Sequence, residues 1–233
     1  MKYRAYVPIS IIQLDSRVPA GQFAALLPDA RPVRYDEGQP LPDLADVEAL
    51  VVLGGRQNAY DPDLAPVAEL LRSATTAHVP TVGICLGAQL LAVCHGGRVE
   101  VSAPAGPERG IITVRTRPGA EHDPVLGAVV EEFGRDFCTV SMHDDAVTNL
   151  PAGATWLAAS QQYPYQAFRL GSALGVQFHP EADAGTYSEW LHREDGVDLE
   201  AGRAQWEEHS EQLTGLARAV GGALARDLAH VSA

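Results

Sequence analysis

Apolar runs rich in β-branched residues alternate along this chain with segments whose apolar positions recur every three or four residues, the pattern of parallel strands joined by crossover helices. Val7 to Leu14 reads as a first strand, Pro19 to Leu27 as a short helix, Pro32 to Tyr35 as a second strand and Ala49 to Leu53 as a third. The unbroken apolar run of the third strand implies burial on both faces, as at the centre of a parallel sheet. Leu64, Val67, Ala68, Leu70, Leu71 and Ala74 then mark a helix over 64–77, with Asp61-Pro62-Asp63 as its N-terminal signal. Val79 to Ile84 is a further buried strand. Gly87 to His95 turns directly into a helix that closes at Gly96-Gly97.

Beyond residue 98 the strands shorten and polar turns separate them: Gly110 to Arg115, Phe137 to Ser141, Ala154 to Ser160, Gln166 to Arg169 and Leu174 to Phe178. Some antiparallel pairing is expected there. Trp206, Leu213, Leu216, Ala217, Val220, Leu224 and Leu228 lie at helical spacing, although Gly215, Gly221 and Gly222 weaken the pattern, so one or two terminal helices covering the sheet are expected. The acidic, glycine-containing stretch from Ala182 to Gly202 reads as the one linker. The expected division is a domain over residues 1–190 and a helical extension over 191–233 packed on it.

The chain has 233 residues, 46% of them apolar, enough for one large core without disulfide staples. Acidic side chains outnumber basic ones 30 to 17, a formal charge of -13. Such a surface repels phosphate backbones and anionic membranes, and no basic run offsets it locally, so neither nucleic acid nor membrane is an expected partner. The start, Met1-Lys2-Tyr3-Arg4, meets Pro8 and Asp15 with no signal-type apolar core, which points to a cytoplasmic chain. Cys85, Cys94 and Cys138 are odd in number and lack CxxC spacing, so each is either a buried apolar side chain or a nucleophile. The histidines outside the motifs below show no HxxxH or HExxH spacing. No metal and no cofactor is expected.

At one strand-to-helix junction stands Gly83-Ile84-Cys85-Leu86-Gly87-Ala88-Gln89. Glycines two before and two after a cysteine permit a sharp turn that projects the sulfur above a sheet, beside helix N-terminal amides that lower the thiol pKa. The alternative is a buried cysteine at a glycine-rich turn. Val176-Gln177-Phe178-His179-Pro180-Glu181, at the end of another apolar strand, supplies a base and a carboxylate to orient it, the arrangement of a nucleophilic triad. Taken alone, that segment also reads as a loop with a surface ion pair. Cys94 and Cys138 are most simply core residues.

Together these segments resemble the class I glutamine amidotransferase family, and in particular stand-alone members similar to the glutaminase domain of GMP synthase. The resemblance implies a doubly wound, flavodoxin-like α/β fold with a mostly parallel sheet. It implies a catalytic triad of Cys85, His179 and Glu181 that attacks the side-chain amide of glutamine and releases ammonia through a glutamyl thioester. Gly54-Gly55 matches the family's oxyanion loop, so the backbone amides of Gly55 and Leu86 would meet the developing charge. Gly54, Gln89 and His143 are implied to border the substrate. Two positions depart from the family pattern. Asp144 replaces the glycine of a His-Gly-Asp segment, and Arg56 stands where proline usually follows the glycine pair. Arg56 reads either as a solvated surface residue or as a counter-ion for a substrate carboxylate or a partner surface.

The chain contains no synthetase portion to consume ammonia, so the resemblance implies a separate synthetase subunit in trans. Two other readings stay open. One is hydrolysis of another small γ-glutamyl compound, and the other is a non-catalytic binding module on the same fold.

Overall fold

A computed structural model describes residues 9–194 and 198–231. Of the segments read from sequence, Val7, Pro8, the Met1 to Arg4 start, Asp195 to Val197 and the Leu228 side chain lie outside what is described.

In chain order the main strands are β1 (Ile9–Gln13), β2 (Arg31–Arg34), β3 (Ala49–Val52), β4 (Thr81–Ile84), β5 (Arg98–Glu100), β6 (Glu108–Thr116), β7 (Asp136–His143), β8 (Ala146–Asn149), β9 (Thr155–Ala159), β10 (Ala167–Leu170) and β11 (Ala173–Val176). Nine form one sheet in the order β2-β1-β3-β4-β11-β10-β9-β6-β7, and β5 pairs with β8 in a separate two-stranded ribbon. Strands β2, β1, β3, β4 and β11 pair parallel with one another, while β11–β10, β10–β9, β9–β6 and β6–β7 are antiparallel pairs. The expected α/β class, parallel first and antiparallel later, is what forms.

The helices are α1 (Phe23–Leu26), α2 (Ala65–Thr76), α3 (Leu86–Cys94), α4 (Leu126–Phe133), α5 (Ala184–His192) and α6 (Leu199–Val231). Alternation along the central strands divides their side chains between two layers. Ile9, Ile11, Val51, Leu53, Val82 and Ile84 pack on one face with Phe23 of α1, Leu126 and Val129 of α4, and Leu216, Val220 and Leu224 of α6. Leu50 and Val52 pack on the other face with Val67 and Leu71 of α2 and Leu90 and Leu91 of α3. A parallel sheet covered on both sides needs apolar residues at every position, and β1, β3, β4 and β11 are buried throughout.

Two local readings change and a third is narrowed. Residues 19–22 are not helical, because Gly21 has φ of +49° and the following amide, on Gln22, donates to the Glu181 carbonyl at 2.7 Å. A Cβ at Gly21 would stand 2.1 Å from that same carbonyl oxygen, so only glycine lets this turn approach. The stretch read as a linker from Ala182 contains α5, capped by Asp183, whose Oδ1 accepts from Thr186 N at 2.7 Å. Finally, α6 is one helix of 33 residues despite its glycines. A Cβ on Gly215 would lie 2.6 Å from Phe133 Cζ, so this glycine costs helix propensity while letting α4 come close.

Candidate active site

Cys85 ends β4 and caps α3 with φ of 51° and ψ of −108°, a conformation that costs an ordinary side chain about 1–3 kcal/mol. The surrounding glycines make it attainable. A Cβ on Gly83 would stand 2.5 Å from Gly87 O, and one on Gly87 would stand 2.2 Å from Val52 O of β3. Both are contacts that no side chain tolerates, so the glycine spacing is what allows α3 to rise directly off the sheet. The turn is held from the neighbouring strand as well, where Val176 O accepts from Cys85 N at 2.8 Å. Leu86 opens α3, and its amide has no partner within the helix.

His179 is brought to the cysteine turn because β4 and β11 are parallel neighbours in register, with Ile84 opposite Val176. Cys85 lies one residue beyond the first and His179 three beyond the second. A backbone bond from His179 N to Val140 O at 2.8 Å fixes the loop. The imidazole is 3% exposed and its Nδ1 lies 2.7 Å from Oε1 of Glu181, which is fully buried. Burial alone would lower the imidazole pKa, but the charges of Glu181 and Cys85 and hydrogen bonds to both outweigh it and push it up to about 10. The indole of Trp190 on α5 packs against the imidazole with ring centroids 4.7 Å apart, and is itself anchored through Nε1 to Arg17 O at 2.6 Å.

Gly54 and Gly55 follow β3, the next parallel strand, so three adjacent strand ends deliver the glycine pair, the thiol and the imidazole to one place. This is the carboxyl-end location at which open α/β sheets bind ligands. A cavity of about 520 Å³ opens there, bordered by Gly55, Cys85, Gln89, His143 and His179.

Gln89 and His143 belong to a buried hydrogen-bonded network in the cavity wall. Gln89 Nε2 donates to Asp145 O at 2.9 Å, and His143 Nδ1 lies 3.0 Å from that same carbonyl. The other ring nitrogen of His143 lies 3.1 Å from Oε2 of Glu108, a carboxylate that also receives Ser160 Oγ at 2.5 Å and Gln166 Nε2 at 2.6 Å. Burial raises the Glu108 pKa, and His143, Ser160 and Gln166 together bring it below the usual glutamate value. With both ring nitrogens engaged, His143 positions Asp145 and Gln89 and offers no free nitrogen to a ligand.

Asp144, the departure from the family glycine, receives Arg109 Nη2 at 2.7 Å, and Arg109 Nε also pairs with Glu194 at 2.8 Å across the cavity rim. Sequence reading missed Trp190, Arg109 and Glu108. Only Trp190 had a signal, since Tyr187, Trp190 and Leu191 keep helical i, i+3, i+4 spacing behind the Asp183 cap. Cys94, half buried, is pushed up to about 11 by burial, the behaviour of a packing thiol. Among the described residues no group of three or more His, Cys, Asp or Glu could hold a metal ion, and no helix is long and apolar enough to cross a membrane.

A thiol on a strained elbow, an imidazole bound to a buried carboxylate, and amides at a glycine pair and a helix start are parts from which a nucleophilic acyl-transfer centre can be built. The chain belongs to the glutamine amidotransferase class-I family, whose model matches residues 29–196. Among its relatives is GMP synthase [glutamine-hydrolyzing] of Chromobacterium violaceum, 33% identical over 154 residues, which are 63% of this chain and 27% of that protein. The enzyme of the same description from Thermus thermophilus is 32% identical over 162 residues, 68% of this chain and 29% of its own. The chain thus spans under a third of the length of these relatives. A crystal structure of a glutamine amidotransferase from Thermotoga maritima superposes with a TM-score of 0.81 at 25% identity, covering 95% of this chain and 97% of that one. One from Methylobacillus flagellatus gives 0.79 at 25% identity, with 94% of each chain covered.

Proposed function

We propose that this chain hydrolyses the side-chain amide of glutamine with Cys85 as nucleophile, His179 as proton carrier and Glu181 as the group that orients and stabilises its cation. The observation that carries this reading is the His179–Glu181 contact of 2.7 Å, delivered by the strand beside the cysteine elbow. The Cys85 thiolate attacks the amide carbon, and the oxyanion is met by the amides of Gly55 and Leu86. The imidazolium gives its proton to the departing nitrogen as the carbon–nitrogen bond breaks, which releases ammonia and leaves a glutamyl thioester. Neutral His179 then takes a proton from water as that water attacks the thioester, and glutamate leaves with the thiolate and imidazolium restored. Gly54 lets the two reacting side chains approach, and Gln89 borders the substrate.

The ammonia passes to a synthetase subunit in trans, whose own substrate accepts it. Support comes from the similarity to GMP synthases [glutamine-hydrolyzing]. A second reading, hydrolysis of a small γ-glutamyl compound, is favoured by the size of the cavity, about 520 Å³ with a border that includes Arg193 and Glu194 as well as Cys85. Measuring glutamate and ammonia from glutamine against glutamate from γ-glutamyl peptides separates the two. A chain inert to both, with Cys85 unlabelled by an electrophilic glutamine analogue, would leave only a binding module.

A further inference from the structure

Four arginines border the cavity, and three are already engaged. Arg17 clamps Asp15 through Nε at 2.8 Å and Nη2 at 2.7 Å. Arg109 is divided between Asp144 and Glu194, and Arg193 Nη2 faces Glu189 at 3.4 Å. Arg56 has no carboxylate within ion-pair distance among the described residues. It directly follows Gly55, where the proposed oxyanion forms.

The loop that presents Arg56 is anchored on its far side. Gln57 Nε2 donates to Leu14 O at 3.3 Å, while Gln57 Oε1 is buried with no partner and turned toward Gly55, where a Cβ would meet it at 2.7 Å. Arg56 is exposed at the cavity border, near enough to Asp15 for its charge to help lower that carboxyl's pKa but paired with no carboxylate among the described residues, and its charge is complementary to the carboxylate of an α-amino acid. The amide carbon and α-carboxylate carbon of glutamine are about 5 Å apart when extended, which an arginine one residue beyond the oxyanion site can span.

We infer that Arg56 reads the free α-carboxylate of the substrate, so that the cavity accepts glutamine or a γ-linked glutamyl compound with that carboxylate unmodified and rejects α-amides. The inference rests on the glutamyl-substrate reading above and adds a specificity residue to it. A guanidinium matches a carboxylate with two parallel N–H bonds, whereas a lysine supplies charge without that geometry.

The test compares glutamine with glutamine α-amide on wild type, Arg56→Ala and Arg56→Lys, and compares labelling rates of Cys85 by an electrophilic glutamine analogue and its α-amide. The expected result is a wild-type preference of about tenfold for the free carboxylate, lost in Arg56→Ala through a higher KM at unchanged kcat and half restored in Arg56→Lys. Values for the α-amide should stay within twofold throughout. Equal losses on both substrates, or no wild-type preference, would overturn the inference while leaving hydrolysis standing. Preserved discrimination in labelling without ammonia release would instead support the inference and count against the hydrolytic reading. A protein that neither turns over nor is labelled would overturn both.

Discussion

Gly54 stands between Cys85 and His179: a Cβ added there would lie 3.1 Å from His179 Cε1 and 3.4 Å from Cys85 Cβ. The glycine next to the proposed oxyanion position therefore also sets how closely the thiol and the imidazole approach. The same Cβ would stand 3.2 Å from Val18 Cγ1, so it has no free direction in which to relax.

Gly54→Ala should keep the fold, since no positive φ demands glycine there, yet lower turnover by about 10–100-fold through displacement of the imidazole. Circular dichroism with a kcat/KM measurement checks both halves. Unchanged activity would mean that the spacing is not critical.

The members of the proposed triad should separate by stability. Glu181 is fully buried and its Oε2 has no partner, so the imidazolium is its chief compensation. His179→Ala should cost about 3–5 kcal/mol in urea unfolding, as expected when one member of a buried ion pair is removed. Cys85→Ala, a small change at the cavity edge, should shift stability by less than about 1 kcal/mol.

The pH dependence follows from the raised imidazole pKa. With a folded value of about 10 against about 6.5 unfolded, the native state holds the extra proton between them. That stabilisation is complete below about pH 6.5 and is lost as pH rises through 10. The leaving nitrogen needs the same proton, so kcat/KM should fall on that alkaline side. Glu181→Gln removes the largest of the raising causes, and its alkaline limb should move toward neutrality by at least about one unit. A limb that stays in place would assign it to another group.

Glu108 gathers contacts from His143, Ser160, Gln166 and Ser141 in the wall behind Gln89. Its depressed folded pKa means that this stabilisation is present above the ordinary glutamate value and is lost as pH falls through the lower folded one. Glu108→Gln should destabilise the protein by about 1–3 kcal/mol and flatten that acid loss. Acid titration of tryptophan fluorescence in the two proteins reads the difference.

How much of this was legible in sequence differs by element. Strand β3 is a continuous apolar run and β4 is buried throughout, and the glycines around Cys85 announce the elbow because only glycine fits the approach of α3 to β3 and β4. Helices α4 and α5 were legible but obscured. Leu126, Val129, Val130 and Phe133 keep helical spacing in a stretch to which the sequence reading assigns no element, and Gly185 with its acidic flanks makes α5 look like a linker. The strands β5 and β8 have three and four residues, too short for an alternation to register. Trp190 against His179, and the Arg109 bridge from Asp144 to Glu194, join residues that no local pattern connects. They exist only once the sheet order and α5 are in place.

The most direct test of the central claim is acid quenching of wild type during incubation with glutamine, followed by mass spectrometry of the intact protein and its peptides. The account predicts a glutamyl adduct on the peptide carrying Cys85, absent in Cys85→Ala and accumulating in Glu181→Gln as thioester hydrolysis slows. Ammonia release with no adduct, or an adduct on Cys94 or Cys138, would contradict it.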